Sequence, residues 1–392
     1  MLNFPKFFMT GIGIWRLDLK IRYAVLKKLY AIYSVIMQAY FLVFMCSLDL
    51  EFFLTCTNDK NPSELFQQLS YVIALSVVTI TSLLWQKEEI REIIIHMLKE
   101  EKTIAGSEDP EVLDTYLNQV RVSGKINVAI FSLSFGVALS ILLETWWRRQ
   151  QVNKINATRN ETLEKPFPLE LYYGYDFDRE RYSTLLLVTQ GAACFSINFM
   201  VTATKVMFFT CIAFASMVLK TLQIKFRKYG SRNHDPSREL TALIVEHQRI
   251  IRFVTNLNES MKYIVLLEYL LNSLNVATVS VQLIVTKAAS PIFFLGFLFA
   301  QIFVLGWSAN EIKVQSAALA NALYASRWPD QPEFAQKLIL VMIVRSQRPL
   351  ELTIGPFDAM TTQTALRILK ASYSYITLMK NNYDQLPPFT GK

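Results

Sequence analysis

Three histidines, His96, His234 and His247, and four cysteines, Cys46, Cys56, Cys194 and Cys211, are scattered through 392 residues. A metal centre needs several such ligands at short, fixed spacings, and a thiol or imidazole catalyst needs a partner within reach. None of the seven has a companion at such a spacing. Cys46, Cys194 and Cys211 fall inside apolar runs and Cys56 in a connecting segment, which suits four free thiols better than a disulfide framework. Glu144 and Glu268 border or enter apolar runs, where a carboxylate is an ion-paired helix end more often than an acid catalyst. The sequence therefore reads as no enzyme and implies no metal and no cofactor. The residues that can do something are Gln363, Arg367, Lys370, Ser374, Thr377 and Asn381, spaced four, three, four, three and four. That spacing places all six on one stripe of a helix, with Leu366 and Leu369 expected on the other face. Polar groups in an apolar segment must face partners or water. Two readings follow: a seam satisfied by neighbouring helices, or a water-filled conduit in which Leu378 forms a hydrophobic constriction.

Composition says what positions the stripe. The chain is 52% hydrophobic and 18% charged, with a mean hydropathy of +0.26, whereas soluble domains carry roughly a quarter charged residues. Uncharged stretches run over 29–48, 65–85, 126–143, 182–204, 269–286 and 288–310. Each is long enough at about 1.5 Å per residue to cross a ~30 Å hydrocarbon layer. Residues 354–379 make a seventh, weaker segment because they include Arg367 and Lys370, and Gly355-Pro356 is expected to open its helix. The first apolar run is too long for a cleavable signal and lacks a cleavage pattern. The fold class is thus an all-α membrane protein with seven transmembrane helices.

Lysine and arginine bias orients it. Of the 40, 26 lie in segments that share one side with the amino terminus and 11 on the other. The positive-inside rule makes the amino terminus cytoplasmic and the carboxyl terminus extracellular. Two glycosylation tripeptides, at Asn156 and Asn160, fall in the 144–181 loop on the external side. A third, at Asn258, falls on the cytoplasmic side and reads as a chance match. The fourth run continues unbroken from Gly191 towards Gly230, and Leu240, Leu243, Ile244, His247, Ile250, Ile251, Val254 and Leu257 repeat with a helical period. The sixth run continues to Tyr324 and stops at Trp328-Pro329, after which Phe334, Lys337, Leu338, Val341 and Met342 begin a short amphipathic set. These continuations form a helical layer on the cytoplasmic side, either plain connectors or a surface on which subunits pack.

Other classes fit poorly. A net charge of +8, spread thinly, is no nucleic-acid footprint. A secondary transporter shows two related halves with broken helices, and no internal repeat is present. A G-protein-coupled receptor, the alternative seven-helix chemoreceptor, has an external amino terminus and an acidic-Arg-aromatic signature after its third span, which Val137 to Arg149 do not provide.

The carboxyl third, Ser316 to Met379, resembles insect odorant receptors. The likeness lies in Ala320, Tyr324 and Trp328, in the run Met342-Ile343-Val344-Arg345-Ser346-Gln347-Arg348-Pro349-Leu350, in Thr353-Ile354-Gly355-Pro356-Phe357, and in Leu369-Lys370-Ala371-Ser372-Tyr373-Ser374-Tyr375-Ile376-Thr377-Leu378. The resemblance implies a plasma-membrane channel of sensory-neuron dendrites: a tetramer of odorant-gated, non-selective cation-channel subunits that includes co-receptor subunits. This chain resembles the ligand-tuning subunit, since the co-receptor's long cytoplasmic insertion is missing between Gly230 and Pro236. On that likeness residues 1–230 hold helices one to four with the pocket, 231–352 hold helices five and six with a cytoplasmic anchor, and 353–392 hold the seventh helix and an external tail. The resemblance further implies a pore lined by Ser374, Thr377, Leu378 and Asn381, with Leu378 as the gate. It places a small, volatile, hydrophobic ligand in the outer half of the membrane. Candidate contacts there are Tyr71, Ala74 and Leu75 on the second helix and Val137, Ser140 and Ile141 on the third. Thr189 and Ala193 on the fourth and Phe293, Phe294 and Phe297 on the sixth complete the set.

Overall fold

The computed structural model describes residues 1–15, 24–57, 62–159, 163–173, 178–230 and 236–385. His234, Asn160 and the side chains of Leu378 and Asn381 lie outside the described residues. A short helix α1 (Asn3–Gly11) is followed by α2 (Ala24–Thr57) and α3 (Pro62–Leu84). Then comes α4 (Glu88–Ala105), in a stretch where the hydropathy pattern shows only a loop. Acidic Glu88 and Glu89 in its first turn and Lys102 in its last complement the helix dipole, and Ile90, Ile93, Ile94 and Met97 bury one face. The long helices α5 (Pro110–Arg159), α6 (Ser183–Arg227), α7 (Pro236–Thr286) and α8 (Ser290–Tyr324) follow. After a 3-10 turn at Trp328–Asp330 come α9 (Glu333–Ser346), strands β1 (Thr353–Ile354) and β2 (Asp358–Ala359), and α10 (Thr362–Gln385).

Six described helices, α2, α3, α5, α6, α7 and α8, are long and apolar enough to cross a membrane, and α10 is the seventh. Every residue from Thr202 to Leu219 of α6 is buried, so this helix is the axis about which the others pack. By contrast, α2 exposes Val25, Leu29, Ile32, Val35, Ile36 and Val43, a face suited to hydrocarbon.

The expected 144–181 loop is corrected by the structure. Its first part is the last turns of α5, which runs on to Arg159, because charged residues end an apolar run without ending a helix. Its described remainder lies over the bundle. Leu169 and Leu171 are buried, Leu169 N–H donates to Gln190 Oε1 at 3.3 Å, and Gln190 Nε2 donates to Tyr173 Oη at 2.8 Å. Arg149 is tied to Ser183 Oγ and stacks on the Phe167 ring, 5.1 Å from its centroid. Asn156 brackets Leu163, donating from Nδ2 to its carbonyl and accepting its N–H at Oδ1, both at 3.0 Å. A glycan on Nδ2 would have to displace that pair.

The layer formed by α4, the lower parts of α5 to α8, and α9 is held by apolar burial inside and ion pairs at its rim. Leu240, Leu243, His247, Ile250, Val254 and Leu257 face inward as their period requires, together with Phe253. Lys225 meets Glu246 at 2.6 Å, Lys228 meets Asp109 at 2.7 Å, and Lys220 meets Glu311 at 2.8 Å. In α9 the buried residues are Ala335, Ile339, Met342 and Ser346. Phe334, Val341 and Val344 point outward, with Phe334 73% exposed.

The Gly355-Pro356 pair does not open the seventh helix. It forms the turn of a hairpin in which Thr353 pairs with Ala359 and Ile354 with Asp358. The helix begins seven residues later, where Thr361 Oγ1 caps it by accepting the Thr364 N–H at 3.2 Å. Asn258, in the tripeptide read as a chance match, holds the hairpin to α7: its Oδ1 accepts the Thr353 N–H at 2.7 Å and the Thr353 hydroxyl at 3.2 Å. Gly355 N–H donates to Lys262 O at 2.9 Å. Gly355 has φ +58, and a Cβ there would lie 2.9 Å from Leu266 Cδ2. Gly355→Ala is therefore expected to lose about 1–2 kcal/mol from the left-handed backbone alone. The loss should appear as a lower thermal midpoint of the detergent-solubilised chain, while a Pro356→Ala control, which needs no left-handed backbone, moves it less.

Candidate functional site

Two features stand out from this packing. The first is a cavity enclosed by α3, α5, α6, α7 and α8, reached also by Leu48 of α2 and by Leu169 from the segment that crosses the bundle. The space between its side chains is ≈ 780 Å³, including the part that opens to the surface. Its walls are mainly apolar, in keeping with small-molecule sites generally.

Of the residues expected there, Tyr71, Ala74, Leu75, Val137, Ile141, Phe294 and Phe297 line this one cavity. Four do not. Phe293 is 54% exposed, because successive helical residues differ by about 100° and its neighbour Phe294 takes the inward position. Thr189 is exposed and its hydroxyl is returned to the Leu185 carbonyl at 3.0 Å. Ser140 is half-buried, with its hydroxyl donated to Val137 O at 2.8 Å. Ala193 is buried but packs off the cavity, whose α6 wall is Cys194, Ile197, Asn198, Val201 and Lys205.

Reading the sequence for apolar walls missed the polar floor. Lys205, Asn272, Asn275 and Gln301 all line the cavity. Lys205 of α6 pairs with Glu268 of α7; both are buried. Glu268 also accepts from Thr81 Oγ1 of α3 and from Asn272 Nδ2, each at 3.2 Å. One carboxylate thus joins three helices through three donors. The available signal is the presence of Lys205 and Glu268 at the ends of apolar runs and of Asn272, Asn275 and Gln301 within them, residues rarely tolerated there without a role. At the outer end, the Tyr71 hydroxyl accepts from Gln67 Nε2 at 3.3 Å. There Tyr71 and Ile141 also line a more polar recess that holds Gln68, Glu144 and Arg148.

The second feature is the free face of α10. Among the described elements this helix packs against α7 and α8. Gly306 of α8 admits the approach: a Cβ there would sit 2.7 Å from Ala365 Cβ and 3.0 Å from Thr361 O. Thr364, Ala365 and Ser372 are buried on that side. Gln363, Arg367, Lys370, Ser374 and Thr377 are all exposed. Leu366, expected on the opposite face, is also exposed at 44%, whereas Leu369 is half-buried; the buried side of α10 centres on Ala365. The hydroxyls of Ser374 and Thr377 bond back to the carbonyls four residues earlier, at 3.1 and 3.0 Å. Arg367 pairs with Asp358 of the hairpin and lies 3.2 Å from Thr364 Oγ1. The Ala359 N–H and then this guanidinium hold the Asp358 carboxyl below the ordinary carboxylate value, so Arg367 does not present a bare positive charge.

Comparison with known proteins adds to this geometry. Residues 61–373 match the model of the family described as 7tm Odorant receptor. The chain belongs to that family. Odorant receptor 10 of Aedes albopictus is 32% identical over 191 residues, which are 45% of this chain and 50% of that protein. Odorant receptor Or2 of Anopheles gambiae is 28% identical over 189 residues, with the same shares. The chain thus spans about half the length of the curated relatives it matches. The solved structure of the insect olfactory receptor OR5 from Machilis hrabei in complex with eugenol superposes with a TM-score of 0.77 at 14% identity, covering 96% of both chains. At that identity the likeness establishes the shared fold. This odorant receptor is therefore a multi-pass membrane protein of the seven-helix class and not an enzyme.

Proposed function

We propose that this odorant receptor is the ligand-tuning subunit of an odorant-gated, non-selective cation channel that assembles as a tetramer with the family's co-receptor. In this reading the amino terminus is cytoplasmic, the ligand occupies the cavity between α3 and α8, and α10 contributes Ser374, Thr377, Leu378 and Asn381 to the conduit. The observation that carries it is the unburied polar stripe of α10. A membrane helix that keeps Gln363, Lys370, Ser374 and Thr377 away from its own bundle needs either water or a partner subunit on that side. The outward Phe334, Val341 and Val344 of α9 support a cytoplasmic surface against which subunits pack. The eugenol complex of the Machilis hrabei receptor supports a small organic occupant of the cavity. The hairpin supports coupling, since it is fixed to α7, which carries Asn272 and Asn275 of the cavity floor, and leads directly into α10.

The test is current evoked by a panel of volatile compounds in cells expressing this chain, the co-receptor, or both. Responses specific to this chain are expected only when both are present, and they should persist in excised patches without guanine nucleotide. A response that disappears without GTP would instead indicate a metabotropic receptor.

A further inference from the structure

Most polar side chains of the cavity have a partner. Lys205 and Asn272 are taken up by Glu268. Asn198 donates from Nδ2 to Cys194 O at 2.9 Å and accepts the Ser134 hydroxyl at 3.1 Å. The Tyr71 oxygen accepts from Gln67. Two fully buried atoms of the lining have none. Asn275, 1% exposed, receives the Thr278 hydroxyl at its Oδ1 at 3.3 Å, but its Nδ2 is buried with no acceptor. Gln301, 5% exposed, has a buried Oε1 with no donor. One donor from α7 and one acceptor from α8 thus line the same apolar cavity, and leaving such groups without partners is costly in a low-dielectric interior.

We propose that the cavity selects neutral, largely apolar molecules bearing a hydroxyl group, whose O–H donates to Gln301 Oε1 and whose oxygen accepts from Asn275 Nδ2. This deepens, and rests on, the reading of the cavity as the ligand site. A hydroxyl is the smallest group that supplies both a donor and an acceptor. A ketone or ether supplies only the acceptor and leaves Gln301 unpaired. A carboxylate finds no available cation, since Lys205 is already paired with Glu268. A hydrocarbon satisfies neither amide. The apolar remainder of the molecule meets Leu75, Val137, Ile141, Phe294 and Phe297, which set its size without reading its polarity.

The experiment uses primary alcohols and phenols, each paired with its own O-methyl ether. Binding is read as ligand-dependent thermal stabilisation of the purified full-length receptor, and activation as current in cells that also express the co-receptor. Hydroxyl members are expected to bind about tenfold more tightly than their ethers, the worth of a buried hydrogen bond plus the group otherwise left unpaired. Gln301→Met should reduce that preference to about threefold or less, and Asn275→Leu should weaken alcohols and ethers together. The wild-type comparison needs no variant to fold, and surface staining identifies any variant that does not. Ethers that bind as well as their alcohols, no binding by any pair, or a full preference in Gln301→Met would overturn the proposal. Hydroxyl-selective binding without current would uphold the ligand class and count against the channel reading. Current with no hydroxyl preference would do the reverse.

Discussion

Replacing Glu268 with leucine while Lys205 stays in place is expected to leave little receptor at the cell surface. The substitution strands a buried ammonium and leaves Thr81 and Asn272 without their shared acceptor. Breaking a buried pair by removing one partner costs about 3–5 kcal/mol, a large part of the roughly 5–15 kcal/mol that separates folded from unfolded domains. Lys205→Met alone should be similarly harmful, because the carboxylate is then stranded. The double variant Lys205→Met, Glu268→Leu should recover much of the surface population, since an apolar pair of similar volume avoids the desolvation of both charges. Quantitative surface labelling of the four receptors decides it. Wild-type levels in Glu268→Leu, or a double variant worse than both singles, would show that α3, α6 and α7 are not held together by this network.

The second large effect concerns α10. Cysteines placed at Gln363, Lys370, Ser374 and Thr377 should react with a charged, water-soluble thiol reagent and change the evoked current, whereas a cysteine at Ala365, wedged against Gly306, should not. Cys46 and Cys56 are exposed in the native chain and must first be replaced by serine. Leu366 cannot serve as the buried control, because it is itself exposed. Modification should be strong for an added charge in a narrow conduit, where rings of charge set ion passage. Partner subunits that lack the cysteine keep the block partial.

Much of this architecture is legible in the residues because bilayer thickness acts on hydropathy. An uncharged run of about twenty residues has few alternatives to a spanning helix. Helix ends are less legible. Hydropathy reports the surrounding solvent and not the backbone, so α5 and α7 run far beyond their apolar runs and α4 goes unnoticed. The turn at Gly355 is missed for a related reason: Gly-Pro suits both a helix start and a hairpin, and only the docking of Thr353 on Asn258 distinguishes them. Phe294 and Phe297 line the cavity and Phe293 does not, a difference hidden in the residues because a helix as uniformly apolar as α8 gives no clue to which side faces inward. Asn275 and Gln301 are visible as amides within apolar runs, but that both line one cavity depends on the fold. The free stripe of α10 is clearer, because its four-three spacing sets polar residues against an apolar background.

The most direct test of the claim that this odorant receptor is itself part of an ion channel is Thr377→Cys, assembled with the co-receptor and held in an excised patch without nucleotide. A positively charged methanethiosulfonate applied during an odorant pulse is expected to reduce the current irreversibly and faster than when the channel is closed, and the same reagent should leave Ala365→Cys unchanged. Currents that ignore modification at Thr377 while biochemical labelling proves that it occurred would contradict the account, and would place the conduit outside the seventh helix of this chain.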